Sequence, residues 1–312
     1  MLHFLRLIRI QNLVIVFITM LLMRWAVIEP ILITNGLQLQ LPDLWFFMLV
    51  LGVVLITASG YIINDYFDRK TDLVNRPKTV VVGVYIKRRS AIILHVFFNI
   101  IAILLTTYVS WKIGHIKYSL VFVLTVGILW YYSTSYKRMF LVGNIIVAVL
   151  TGLIPVLVFM FEMPTIFEKY ADLFESSIVN LGMIKIWILG FSIFAFITTL
   201  IREIIKDIED FDGDIEYGRN TLPVSLGVMN TKYIIIMLIF AELITLFTSY
   251  YIFINDEYSI WYFLIFITLP FLYLIYILLN AKEKSEYHKA SIITKIIMVS
   301  GLLYTSIIYF TS

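Results

Sequence analysis

Cysteine is absent from this chain of 312 residues, which excludes disulfide bonds and thiolate metal sites. Charged residues are scarce, at 14% of the chain against about a quarter in soluble domains. The four histidines are scattered and show no metal-ligand spacing. No stretch rich in proline, glycine or serine divides the sequence, so we predict a single domain over residues 1–312. Together these absences indicate one membrane-embedded domain.

Long apolar runs dominate the sequence. About 20 apolar residues suffice to cross a bilayer. The chain has nine such runs, near Leu13–Ile28, Leu44–Ile63, Ala91–Ser110, Tyr118–Thr134, Leu141–Phe161, Ile186–Ile205, Tyr233–Ile254, Ile260–Leu279 and Ile292–Phe310. They are continuous rather than alternating, which excludes a transmembrane β-barrel. We therefore predict an all-α integral membrane protein with nine transmembrane helices. Arg24 falls in the first run, and its side chain is expected to snorkel outward.

Positive charges are unevenly distributed between the two sets of connections. If the chain starts in the cytoplasm, segments 1–12, 64–90, 135–140, 206–232 and 280–291 lie on that side and carry most of the arginines and lysines. The opposite loops hold only Lys112, Lys117, Lys169 and Lys185. The positive-inside rule therefore places the N-terminus on the cytoplasmic side of the inner membrane. The outward segment 162–185, which includes Glu162, is expected to be solvated.

Two acidic motifs with the same spacing follow the second and sixth apolar runs. Their carboxylates recur at i, i+3 and i+7: Asp65, Asp68 and Asp72 in the first motif, Asp207, Asp210 and Asp214 in the second. On a helix this spacing places all three on one face, where like charges repel, so removing one of them is expected to relieve repulsion. Mg²⁺ prefers carboxylate oxygens and is usually shared with substrate phosphates. We therefore predict that these six residues bind Mg²⁺, with Asp65, Asp68, Asp210 and Asp214 as the catalytic residues.

Basic and amide side chains near the motifs are candidates for binding a diphosphate. A departing diphosphate needs donors that stabilise its developing charge. The candidates are Arg9, Asn12, Asn64, Arg76, Lys137, Arg138, Asn144 and Lys206. Ordinary positive-inside topology is the alternative explanation for each cation. Asn12 and Asn144 lie at or just inside helix ends, where a buried amide must find a partner.

These motifs resemble those of a known family. Asn64-Asp65-x-x-Asp68-x-x-x-Asp72, followed by Asn75-Arg76-Pro77, resembles the first signature of the UbiA superfamily of intramembrane prenyltransferases, and Asp210-x-x-x-Asp214 resembles the second. The resemblance covers essentially the whole chain. It implies nine helices around a central cavity with a cytoplasmic cap. It also implies Mg²⁺-dependent transfer of a prenyl group from an isoprenyl diphosphate. Departure of the diphosphate leaves an allylic cation, which the bilayer protects from water.

The acceptor has two candidate classes. The segment from Arg202 to Asp210, with Asp214 and Thr221-Leu222-Pro223, most resembles members that make ether lipids by transferring geranylgeranyl to geranylgeranylglyceryl phosphate. Members that prenylate 4-hydroxybenzoate, dihydroxynaphthoate or homogentisate share much of this pattern, so an aromatic acceptor is the alternative. Apart from these substrates and membrane lipids we predict no partner, neither nucleic acid nor protein.

Two other classes of membrane protein compete with this interpretation. A polytopic transporter would carry its ionisable residues near mid-membrane, in broken helices. A CDP-alcohol phosphotransferase needs Asp-Gly-x-x-Ala-Arg, but here Asp212-Gly213 is followed by Asp214-Ile215-Glu216-Tyr217. Both alternatives therefore fit the acidic motifs less well than a prenyltransferase does.

Overall fold

Helices make up most of the structure, a computed structural model that describes residues 2–75, 77–175 and 181–311. Within these ranges nine helices are long and apolar enough to cross a membrane. They are α1 (Ile10–Thr34), α2 (Asp43–Asn75), α3 (Arg88–Lys112), α4 (Ile116–Thr134), α5 (Val142–Lys169), α6 (Gly182–Glu209), α7 (Val228–Ile254), α8 (Glu257–Asn280) and α9 (Lys284–Phe310). Each overlaps one predicted apolar run, so the prediction of nine transmembrane helices is confirmed.

Short helices and turns join the long ones. Leu2–Leu7 precedes α1, and Ala171–Glu175 follows α5. Phe211–Glu216 and Leu222–Leu226 both lie between α6 and α7. Single 3₁₀ turns form at Pro77–Thr79 and Tyr136–Arg138.

The chain divides into two compact units. The first unit consists of Met1–Leu21, Asn35–Lys137 and Leu157–Asn180, and the second of Leu22–Thr34, Arg138–Val156 and Leu181–Ser312. Helices α1 and α5 contribute a part to each unit. The first acidic motif belongs to the first unit and the second motif to the second. The single domain, the central cavity and the cytoplasmic cap stay predictions.

In the first unit α2 packs against α3 and α4. Gly52 allows the close approach of α2 and α3, because a Cβ there would collide with Thr106. The buried Ser59 hydroxyl donates to Asn99 Oδ1 at 2.6 Å, and Asn99 Nδ2 lies 3.2 Å from His95 Nε2. Small residues and interhelical hydrogen bonds are what hold helices together in lipid, which offers no hydrophobic driving force.

In the second unit α6 packs against α7 and α9. Gly301 of α9 lies against the Phe194 ring, where a Cβ would collide. Helices α1, α7 and α8 contain π-helical turns at Met23–Ile28, Tyr250–Ile254 and Phe263–Thr268. Pro30 and Pro270 each lie two residues after one of these turns. Because proline lacks an N–H, the regular i to i−4 ladder is interrupted just before it.

Two sequence-based expectations about charged residues are wrong. Arg24 does not snorkel outward; it is 1% exposed, and its guanidinium lies 5.2 Å from the centre of the Trp25 ring. Glu162 is not in a solvated loop; it is fully buried. The reason is that α1 continues to Thr34 and α5 to Lys169, so both residues lie inside helices rather than at their ends.

Candidate active site

The first acidic motif lies on the last turns of α2. This helix has 33 residues, and at 1.5 Å per residue it is about 50 Å long, whereas the apolar core of a bilayer is about 30 Å thick. The helix therefore extends beyond the apolar core and carries the motif with it. Asp65, Asp68 and Asp72 share one helical face, as predicted. Segment 64–75 is consequently helix rather than the start of a connecting loop.

Two predicted cations pair with two of the three carboxylates of this motif. Arg9 Nη2 lies 3.0 Å from Asp65 Oδ1, and Lys137 Nζ lies 2.6 Å from Asp68 Oδ1. Lys137 Nζ also lies 3.4 Å from Asn64 Oδ1. The structure therefore brings Arg9, Asn64 and Lys137 together at the carboxylates. Their binding of a diphosphate stays a prediction.

Arg9 reaches its partner through an unusual backbone conformation. It lies between helix Leu2–Leu7 and α1 with φ of 50°, a left-handed conformation that costs a non-glycine residue about 1–2 kcal/mol. Its guanidinium also lies 4.7 Å from the centre of the Tyr61 ring. The ion pair with Asp65 and this cation–π contact offset the cost and hold the chain in the turn.

Tyr61 is a member of this cluster that the sequence analysis missed. Its hydroxyl accepts a hydrogen bond of 3.1 Å from Asn12 Nδ2. Tyr61 precedes Asp65 by four residues on α2, so both lie on the same helical face. That spacing was the available signal. The cluster of the first unit thus contains Arg9, Asn12, Tyr61, Asn64, Asp65, Asp68 and Lys137.

The second motif differs from the first in its local structure. Asp207 lies in α6, which ends at Glu209; Asp210 stands between helices with φ −100° and ψ 11°; and Asp214 lies in Phe211–Glu216. The prediction that one helix carries all three carboxylates is therefore wrong for this motif. Helical hydrogen bonds are nevertheless kept on both sides, from Asp210 N to Lys206 O and from Asp214 N to Asp210 O. The irregularity is thus confined to one residue, which adopts the sparsely populated bridge conformation.

Each carboxylate of the second motif has a polar partner. Asn144 Nδ2 donates to Asp207 Oδ2 at 2.7 Å, as predicted for an amide just inside α5. Arg219 Nη1 lies 3.3 Å from Asp214 Oδ1, and Asp214 is almost fully buried. Lys284 Nζ, at the start of α9, lies 3.8 Å from Asp210 Oδ1. Lys284 was missed because it is far from Asp210 in sequence and resembles any other cytoplasmic lysine.

The remaining predicted residues are less directly engaged. Lys206 Nζ binds Glu203 Oε2 at 2.8 Å, and Glu203 also pairs with Arg202 at 3.2 Å. Arg138 is exposed, and its carbonyl accepts from Asn220 N at 2.9 Å. Arg76 lies outside the described residues. Lys206 is thus held by a carboxylate, Glu203, that the sequence analysis did not select.

The donor set suits Mg²⁺ bound together with a diphosphate. Hard carboxylate oxygens are the ligands this ion prefers, and it is usually held by one or two of them plus substrate phosphates. Among the described residues no three carboxylates or histidines come together as a ready-made metal cage. Instead each unit offers several carboxylates beside cations. This arrangement fits an ion that arrives with its anionic substrate.

Comparison with known proteins gives consistent results. Residues 27–298 match the UbiA prenyltransferase family. The digeranylgeranylglyceryl phosphate synthase of Methanosphaera stadtmanae is 32% identical over 251 residues, which cover 80% of this chain and 82% of the relative. That of Thermococcus gammatolerans is 28% identical and covers 80% of each chain.

Solved structures share the fold. One, described as a digeranylgeranylglyceryl phosphate synthase, matches with a TM-score of 0.64 at 24% identity and covers 99% of this chain and 98% of that one. A UbiA homologue from Archaeoglobus fulgidus, bound to DMAPP and Mg²⁺, matches with a TM-score of 0.56 at 16% identity, over 97% of this chain and 99% of that one.

The fold and the acidic motifs define a polytopic membrane enzyme with helices throughout. The chain belongs to the UbiA prenyltransferase family, which it matches over most of its length. It is therefore a prenyltransferase embedded in the membrane, and a transporter is excluded as its class.

Proposed function

We propose that this enzyme transfers a geranylgeranyl group from geranylgeranyl diphosphate to geranylgeranylglyceryl phosphate and releases diphosphate. The observation that carries the proposal is the pairing of motif carboxylates with cations, Asp65 with Arg9 and Asp68 with Lys137. Relatives named digeranylgeranylglyceryl phosphate synthase, one of them 32% identical over most of both chains, support the choice of substrates.

The carboxylates are the proposed metal ligands. Asp65 and Asp68 of the first motif and Asp210 and Asp214 of the second would hold Mg²⁺, with assistance from Asp72 and Asp207. When bound, the metal neutralises charge on the diphosphate and makes it a better leaving group. A UbiA homologue of the same fold from Archaeoglobus fulgidus was solved with DMAPP and Mg²⁺, which supports a role for this metal in the proposed reaction.

Arg9 and Lys137, which pair with Asp65 and Asp68, would bind the phosphate oxygens of the substrate. Arginine contacts phosphate through two parallel N–H groups and lysine as a point charge. Asn12, Asn64, Arg76, Arg138, Asn144 and Lys206 are proposed to complete substrate binding. These donors stabilise the charge that develops as the diphosphate departs.

The reaction exchanges one carbon–oxygen bond for another. The bond between the allylic carbon and the diphosphate oxygen breaks, and its electron pair leaves with diphosphate. A hydroxyl oxygen of the acceptor forms the new bond to the allylic carbon and gives its proton to a carboxylate of the motifs. The apolar surroundings exclude water, which would otherwise capture the allylic cation.

The phosphorylated lipid is favoured over an aromatic acceptor by charge. A glycerol phosphate needs cations in addition to those that bind the diphosphate. The second unit offers Arg219, which pairs with Asp214, and Lys284, which lies near Asp210. The aromatic acceptors each carry a single carboxylate, whereas a phosphate monoester carries close to two negative charges, so the arenes need fewer cations. Both motifs and the N-terminus are proposed to lie on the cytoplasmic side of the inner membrane, by the positive-inside rule.

Presenting both acceptor classes to the purified protein tests the proposal. With Mg²⁺ and labelled geranylgeranyl diphosphate, geranylgeranylglyceryl phosphate should yield a diether phosphate, and 4-hydroxybenzoate, dihydroxynaphthoate and homogentisate should stay unmodified. Prenylated arene without diether would disprove the acceptor and leave the enzyme class intact.

A further inference from the structure

An apolar cavity lies inside the second unit. Its volume is about 290 Å³, and residues of α6, α7, α8 and α9 line it. This volume is close to the lower end of the range of small-molecule sites, roughly 300–1,000 Å³. The rim residues Leu189, Ile193 and Phe253 are exposed, so a molecule dissolved in the lipid has access to it.

The cavity is separate from the second acidic motif. Along α6 its lining extends from Ile186 to Ile197, while Asp207 lies ten residues further on. At 1.5 Å per residue this is about 15 Å of helix. On α7 the lining runs from Glu242 to Ile254, the half that leads away from the motif. The cavity therefore lies too far along the helices for its lining residues to contact the residues proposed to bind the diphosphate.

Glu242 is the only ionisable carboxylic acid in the lining, and lysine, arginine and histidine are absent from it among the described residues. The Glu242 side chain is almost fully buried, and its Oε1 accepts a hydrogen bond of 2.8 Å from Thr198 Oγ1. Its Oε2 is also buried and has no hydrogen-bond partner among the residues that the structure describes. Leaving such an acceptor unsatisfied costs stability. An ionisable residue inside a membrane helix suggests a functional site.

The helices are irregular where they line this cavity. Phe253 and Ile254 belong to the π-helical turn Tyr250–Ile254, and Phe263 and Ile267 to the turn Phe263–Thr268. Short π-helical segments inside α-helices are frequently found at functional sites. Two of them in one cavity wall are a second indication, independent of Glu242, that the cavity binds a ligand.

We propose that this cavity binds a neutral single-chain lipid alcohol, whose hydroxyl donates a hydrogen bond to Glu242 Oε2. A hydrocarbon chain alone would fill the space but leave Oε2 unsatisfied. The phosphate of a phospholipid headgroup would require cations, and the described lining residues include none. A long-chain alcohol satisfies both the apolar wall and Glu242 Oε2, the buried acceptor of the described lining that has no hydrogen-bond partner. The proposal does not depend on the substrates of the prenyl transfer.

A competition experiment tests the hydroxyl directly. The full chain is reconstituted in phosphatidylcholine nanodiscs and labelled with a photoreactive analogue of geranylgeraniol, and the labelled peptides are mapped by mass spectrometry. Label is expected on the parts of α6 and α7 that line the cavity. Unlabelled geranylgeraniol should compete about tenfold better than its methyl ether, which cannot donate a hydrogen bond.

Two variants locate the effect. In Glu242→Leu the alcohol should lose its advantage and compete no better than the ether. In Gly190→Leu both should compete poorly, because an added Cβ at this lining residue meets open space and a larger side chain fills the cavity. Gly127→Leu is the matched control, since this helical glycine also has open space but lies in α4 of the first unit. It should behave as wild type.

Two results would overturn the proposal. Equal competition by alcohol and ether in the wild type would mean that the cavity takes an acyl chain only. Labelling confined to the neighbourhood of the acidic motifs would mean that the alcohol occupies the prenyl site instead. Competition and labelling are both measured without turnover, so a negative result on lipid binding is distinct from a failure of the proposed prenyl transfer.

Discussion

The ion pair between Asp68 and Lys137 allows the effect of one substitution to be worked out in detail. The oxygen and nitrogen are 2.6 Å apart, and the two side chains are only 10% and 6% exposed. Removing one partner of a buried pair costs about 3–5 kcal/mol, because the other charge stays buried without its counter-ion. Asp68→Ala should therefore destabilise the protein. The sequence-based expectation of relieved repulsion thus has the wrong sign.

Thermal unfolding in detergent measures this effect. At about 2.1 cal/mol/K per residue, the unfolding entropy of this chain of 312 residues is about 0.65 kcal/mol/K. A loss of about 3–5 kcal/mol therefore lowers the melting temperature by roughly 5–8 °C. Asp68→Ala should melt that much lower and show no turnover. The double variant Asp68→Ala, Lys137→Met should regain part of the melting temperature, because the buried charge is gone. Turnover should not return.

Asp212→Ala is the matched control. Asp212 is an exposed carboxylate in the second acidic segment, so its removal should change neither melting temperature nor turnover. An Asp68→Ala protein that melts at the wild-type temperature would refute the buried pair. Full activity in that protein would refute its role as a metal ligand.

Three further predictions concern the metal, the orientation and Tyr61. Removal of divalent metal with a chelator should abolish turnover. Added Mg²⁺ should restore turnover better than Ca²⁺, because Ca²⁺ prefers more ligands. Activity that survives chelation would exclude a role for metal. Cysteines placed at the exposed positions Lys70 and Tyr217 should react only with reagent from the cytoplasm, and one at the exposed position Glu257 only with reagent from outside. Outside labelling of Lys70→Cys in intact cells would contradict the predicted topology. Tyr61→Phe keeps the ring beside Arg9 but loses the hydroxyl that accepts from Asn12, so its kcat/KM should fall about two- to tenfold. The control Tyr66→Phe should keep the wild-type kcat/KM. Equal kcat/KM values for the two variants would remove Tyr61 from the site.

Much of the fold was predictable because a transmembrane helix needs a long apolar run, which hydropathy reveals. Helix ends were harder. Arg24 and Glu162 were assigned to the edge of the membrane because they are charged, yet α1 and α5 continue past them. Whether a charged residue inside a helix is buried depends on its tertiary surroundings, which the local sequence does not show.

The candidate site shows the same division. Asp65 and Asp68 were found from their spacing on α2, and Arg9 and Lys137 from their charge next to helix ends. Tyr61 was missed although its spacing of four residues from Asp65 placed it on the same helical face. Glu203 was missed because its contacts with Lys206 and Arg202 depend on side-chain positions that the sequence does not show. Lys284 was missed since its contact with Asp210 is long-range. The break at Asp210 was also missed, because the regular spacing hides a one-residue irregularity between two helices.

Product stoichiometry is the decisive measurement for the proposed reaction. Purified protein is incubated with geranylgeranyl diphosphate and geranylgeranylglyceryl phosphate, with and without Mg²⁺, and diphosphate and diether phosphate are quantified in the same sample. Equal amounts of both products are expected with Mg²⁺, none without it, and none in Asp65→Ala or Asp214→Ala. Diphosphate release without a prenylated lipid, or equal rates in the absence of Mg²⁺, would contradict the proposed reaction.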